Sequence, residues 1–248
     1  MYGVYDLWDK FRRYPITGAE FTGIFLLVLA LGFVVGFNDQ SPVFEVAHWS
    51  LNLIFSLVIV FIAMFLPAIV QKLVGLQMGF KVDIKIWYIG VVIALMALFV
   101  SGGIYGLWFL AATGITLHMM ERHRLGYFRY GLGLWSIGWV SLFGSLTNFF
   151  LAIIFRIFNA FAPNPFFEKA ILVNVLFAVC TMLPIPPLNG LNVLRASRFF
   201  YFLAFAGIIT GGALMVMPGV PLILALVASV LFGLISAMSL FIFYDKIP

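Results

Sequence analysis

Charge is what this chain has least of. Only 9% of its 248 residues are Asp, Glu, Lys or Arg, while 64% are hydrophobic and the mean hydropathy is +1.15. A water-soluble domain of this length could not bury so much apolar surface, so the chain is expected to be an integral membrane protein. The one cysteine, Cys180, excludes an internal disulfide and reads as apolar core filler. Histidine occurs three times, at His48, His118 and His123. No acid lies inside a predicted span except Glu20, at a helix start where the dipole favours it. Ion-coupled transport and aspartyl intramembrane proteolysis are therefore left without their groups. No small-residue cleavage site follows the charged, aromatic start of the chain, so no cleavable signal peptide is expected. The net charge of +5 comes from basic residues scattered over short loops. That pattern points to topology and lipid headgroups and away from nucleic acid.

The apolar runs predict an all-α polytopic protein of about six spanning helices, over Glu20–Phe37, His48–Val70, Leu134–Phe158, Lys169–Leu183, Phe199–Met217 and Val220–Phe243. Residues Ile86–Leu117 are too long for one untilted span and are divided by Ser101–Gly103, so they read as a split or re-entrant segment. Loop charge favours this. Lys10, Arg12 and Arg13 precede the first span, while Asn38–Ala47 holds no Lys or Arg. Lys72, Lys81 and Lys85 follow the second span, and Arg122, Arg124 and Arg129 follow the ambiguous segment. Arg195 and Arg198, then Lys246, complete the series. All of them share one side only if Ile86–Leu117 returns to its starting side. That places both termini in the cytoplasm of a multi-pass cell-membrane protein. Residues 1–248 read as a single membrane domain: 1–47 holds the N-terminal segment and first helix, 48–198 the core, and 199–248 a C-terminal helix pair.

Within Met78–Gly90, Val82, Ile84 and Ile86 alternate with Lys81, Asp83 and Lys85. This is strand periodicity at a membrane edge. An interfacial loop with a Trp-Tyr belt is the alternative, and a strand there could accept an extended partner by edge addition. The stretch Met182–Leu194, "MLPIPPLNGLNVL", breaks the fourth of these apolar runs with Pro184, Pro186 and Pro187 and lets the chain turn at Gly190.

Three stretches, "FLPAIVQKLVGLQMGF" (Phe65–Phe80), "GSLTNFFLAIIF" (Gly144–Phe155) and "LPIPPLNG" (Leu183–Gly190), together resemble the site-2 protease family of intramembrane zinc metalloproteases, especially its archaeal-type members. The resemblance runs from about Glu20 to the C-terminus. It implies a helical core in which HExxH on one helix and the Asp of LDG hold zinc, with the Glu activating a metal-bound water. In this chain the positions matching the two His are Pro67 and Gln71, the Glu position is Ala68, and the Asp position is Asn189. None of the four family groups is present. Proline offers no donor atom, alanine takes no proton, and neutral amides are poor zinc ligands beside imidazole and carboxylate. Pro67 is also expected to kink its helix.

The resemblance therefore implies a zinc cofactor that the matched positions do not support. Gly144 and Asn148 match the family and read as a packing seam or a retained substrate contact. Thr181 stands where the family has Asn, and Ser145 where it has Pro. Gln71, Gly144, Asn148, Thr181, Pro184, Pro187, Asn189 and Gly190 are the candidate cleft residues, and Asn189 is placed to hydrogen-bond Gln71 or an extended peptide. A replacement metal site at "HMMERHR" is not expected. His118 and His123 are five residues apart, roughly 140° around a helix, and the surrounding arginines suit a solvated turn. The expected function is that of a non-catalytic site-2 protease homologue that binds a transmembrane helix or another membrane protein. The alternatives are a structural subunit of a larger membrane complex and a divergent active intramembrane protease.

Overall fold

The computed structural model describes residues 4–39, 41, 44–101, 109–119 and 133–244. Helix α1 (Val4–Arg13) leads into α2 (Gly18–Gly36). Thr17 starts α2 with a capping box: its hydroxyl accepts from the Glu20 N–H, and the Glu20 carboxylate accepts from the Thr17 N–H. Helix α3 (Val46–Gln77) is 32 residues long, about 48 Å at 1.5 Å per residue. It is helical on both sides of Pro67 and extends well past the expected end at Val70, because no helix breaker occurs before Met78–Gly79.

Strand β1 (Phe80–Ile86), helix α4 (Tyr88–Val100) and strand β2 (Thr113–Met119) follow. The alternation read from Lys81 to Ile86 is that of β1, whose buried residues Phe80, Val82 and Ile84 pack on the bundle. The strands pair antiparallel, with Ile86 opposite Thr113 and Phe80 opposite Met119. The chain thus returns at β2 to lie beside β1. The remaining helices are α5 (Leu134–Phe161), α6 (Pro165–Thr181), α7 (Asn189–Ala196), α8 (Arg198–Val216) and α9 (Leu222–Tyr244).

Among the described residues, five helices are long and apolar enough to cross a bilayer: α2, α3, α5, α8 and the Leu222–Ser239 part of α9. This is a membrane protein. Helix α6, the other expected span, has 17 residues and begins at Pro165 instead of Lys169. Asn164 caps it, accepting from the Phe166 N–H, and Pro165 occupies its first turn, where a missing N–H costs nothing. It stops at Thr181, ahead of the proline run. Ala170, Val173 and Ala178 are fully buried in the wall that α6 shares with α3, α5 and α8. Helix α9 lies at the rim, with only 17% of its apolar window buried.

The two ends of the bundle are distinguishable. At one, Phe80 and Val82 pack with Val140 of α5, and Trp135 of α5 meets Phe200 of α8. At the other, Asn52 donates to the Gly36 carbonyl and accepts from Lys169, and Arg156 donates to the Val220 carbonyl. Lys72 does not belong to the loop cations. It sits inside α3, 2% exposed, with its Nζ 2.8 Å from Glu20 Oε2. The remaining donors to Glu20 explain why charge is tolerated there. Its carboxylate also accepts from the Ile84 N–H at 2.8 Å and from the Thr17 hydroxyl at 2.9 Å, while Lys72 also donates to the Pro15 carbonyl. One buried ion pair therefore ties α2, α3, β1 and the α1–α2 linker together.

Candidate functional site

Gln71 and Asn189 are 118 residues apart in sequence, and their side chains meet. The Gln71 amide donates to Asn189 Oδ1 at 3.3 Å, with both residues 5% exposed. Two causes bring them together. Pro67, Ala68 and Gln71 recur at helical spacing on the inward face of α3. The turn of residues 182–188 then ends in α7, whose first residue is Asn189. Gly190 makes this turn possible by close approach: a Cβ there would lie 2.0 Å from the Met182 carbonyl oxygen.

Gly144 of α5 supplies the space. A Cβ on it would lie 2.2 Å from Gln71 Nε2 and 2.9 Å from Asn189 Nδ2. Its role is therefore to let α5 pass against the amide pair, which is closer to the packing-seam reading than to a ligand contact. One turn on, Asn148 is 3% exposed, and among the described residues its Oδ1 has no hydrogen-bond partner. Thr181 donates to the Phe177 carbonyl and accepts from the Ser145 hydroxyl at 2.9 Å. Ser145 and Thr181 thus bridge α5 to α6.

A small cavity of about 20 Å³ lies at the centre, lined by Pro67, Ala68, Gln71, Gly144, Asn148, Thr181 and Asn189. Ile24, Ile84 and Thr113 complete its wall from α2, β1 and β2. This volume holds one or two water molecules and no side chain. Proline at position 67 leaves the Ala63 carbonyl, also on the wall, without its usual helical donor. Pro184 and Pro187 are exposed and do not reach the cavity. Pro187 instead covers β2, where a Cβ on Gly114 would meet its carbonyl oxygen at 2.5 Å. Thr113 was missed from sequence, because nothing local marks the residue at which a returning strand meets a helix bundle.

The donor set does not fit zinc. The polar residues lining the cavity carry neutral amides and two hydroxyls, and among the described residues no three His, Cys, Asp or Glu side chains come together. His118, on the outward side of β2, lies 3.5 Å from Asp83, and His123 lies outside the described residues. No protein-family model, curated protein or solved structure matches this chain.

Proposed function

We propose that the protein is a non-catalytic homologue of the site-2 proteases that binds a transmembrane helix or another membrane protein at a degenerate active-site cleft. The observation that carries this reading is convergence. The four positions that the resemblance equates with two His, a Glu and an Asp come from two distant segments, line one cavity, and hold Pro67, Gln71, Ala68 and Asn189. On this reading zinc is not a cofactor and no hydrolysis occurs. The loop charges put the N-terminus in the cytoplasm, and with α6 as a sixth pass the C-terminus joins it.

The polar lining favours binding over a purely packing role in a larger complex. Gln71, Asn148, Thr181 and Asn189 keep amides and a hydroxyl buried around the cavity. A chain that kept the fold only for packing would gain by filling the site with apolar side chains. As folded, the cavity is too small for a polypeptide, so occupation requires the Gln71–Asn189 bond to part. A neutral hydrogen bond between membrane helices is worth about 0.6–2 kcal/mol, less than a helix-sized interface returns.

The test uses the full chain in its native membrane, with a photo-crosslinking residue at Met64 beside the cavity or at Ile235 on the lipid-facing rim. A discrete adduct is expected from Met64 and not from Ile235. Locking the cleft with a Gln71→Cys/Asn189→Cys disulfide abolishes it. Chelator-sensitive cleavage of a model transmembrane substrate by the purified protein, or an adduct indifferent to the lock, overturns the reading.

A further inference from the structure

We infer that α1 is an in-plane anchor on an anionic phospholipid leaflet, a surface separate from the central cavity. At about 100° per residue, Leu7, Phe11 and Trp8 share an arc of about 100° on α1. Arg12, Asp9, Arg13 and Lys10 follow in turn around the remainder. Trp8 is 60% exposed and stacks on Phe11 with ring centroids 6.2 Å apart. A solvent-facing indole stacked on a phenyl ring, with Arg12 on one border of the arc and Lys10 on the other, is the pattern of a helix that rests at headgroup depth.

The helix is held at the right level for this. It packs on the C-terminal half of α3 through the linker, whose Pro15 carbonyl accepts from buried Lys72. Lys81 and Lys85 of β1 and Arg195 of α7 lie at the same end of the bundle. Exposed Arg12 and Arg13 add to them, against the acids Asp6, Asp9 and Asp83. At the far end Arg156 and Lys169 stand against Asp39, Glu45 and Glu168. Charge and apolar pattern thus select the same occupant for the α1 face, a phospholipid leaflet carrying negative headgroups.

The test uses the full chain in nanodiscs of phosphatidylcholine with and without phosphatidylglycerol. Spin labels are placed by Trp8→Cys, Phe11→Cys, Asp9→Cys and Arg13→Cys in a Cys180→Ala background. Labels at 8 and 11 should collide with oxygen in preference to a water-soluble nickel chelate, and labels at 9 and 13 the reverse. Arg12→Gln and Arg13→Gln, both on exposed side chains, should each weaken phosphatidylglycerol retention about fivefold. Equal nickel access at all four positions overturns the inference. So does shielding of 8 and 11 from both probes, which would mean a protein covers the face, and so does unchanged lipid retention.

Discussion

Removing one partner of the Glu20–Lys72 pair gives the sharpest energetic prediction. Lys72→Met keeps the aliphatic stem and leaves the Glu20 carboxylate with the Ile84 N–H, the Thr17 N–H and the Thr17 hydroxyl. Breaking a buried pair costs about 3–5 kcal/mol, and three surviving donors place this variant near 3. Glu20→Ala is worse. It strands the Lys72 ammonium with the Pro15 carbonyl alone, unpairs the Ile84 N–H for about 1–3 kcal/mol more, and removes a capping box. Its cost should exceed 5 kcal/mol. At about 2–4 °C per kcal/mol for a chain of this size, Lys72→Met lowers the midpoint by about 6–12 °C, and Glu20→Ala by more than 10 °C. The double variant Glu20→Gln/Lys72→Met, which removes both charges together, should recover most of the loss. Cys180, the only thiol and 4% exposed, reports unfolding directly through a thiol-reactive fluorophore in detergent. A Lys72→Met midpoint within 2 °C of wild type, or a Glu20→Gln/Lys72→Met variant no more stable than Lys72→Met alone, would refute the reasoning.

Gly144→Ala should push Gln71 off Asn189 and cost about 1–3 kcal/mol by overpacking. Gly133→Ala, where a Cβ meets nothing within 4 Å, serves as its control in the same melt. Asn189→Ala should cost about 0.6–2 kcal/mol from the lost interhelical bond, and a cycle with Gln71→Ala should show that coupling. Asn148→Leu removes the unpartnered carbonyl. It is expected to leave the midpoint unchanged or raise it while weakening the Met64 photo-adduct, a split between stability and binding that a packing role would not produce.

Much of the fold was legible because a bilayer leaves few options: apolar runs of the right length must be helices, and their loops carry the topology. The strand at Phe80–Ile86 showed itself by strict alternation. The site was legible only in part. Pro67, Ala68 and Gln71 share a helix face by spacing alone, but bringing Asn189 to them rested on the family resemblance, since no local pattern records a contact across 118 residues. Lys72 was misplaced for a related reason. A lysine at the end of an apolar run reads as a loop cation unless its partner is known, and Glu20 lies 52 residues away. Pro184 and Pro187 read as cleft residues because the bend is near the cleft. Both are exposed and lie off the cavity, Pro187 against β2, as residues that build a turn can.

The central claim is that Pro67, Gln71 and Asn189 occupy the positions of a metal site whose ligands are gone. Metal content of the detergent-purified protein tests it, for the wild type and for Pro67→His/Gln71→His/Asn189→Asp. The wild type should hold no zinc above background, and the triple variant should take up one ion per chain, because two His at i and i+4 on α3 and an Asp at the start of α7 would line one cavity. Stoichiometric zinc in the wild type, or none in a folded triple variant, would contradict it.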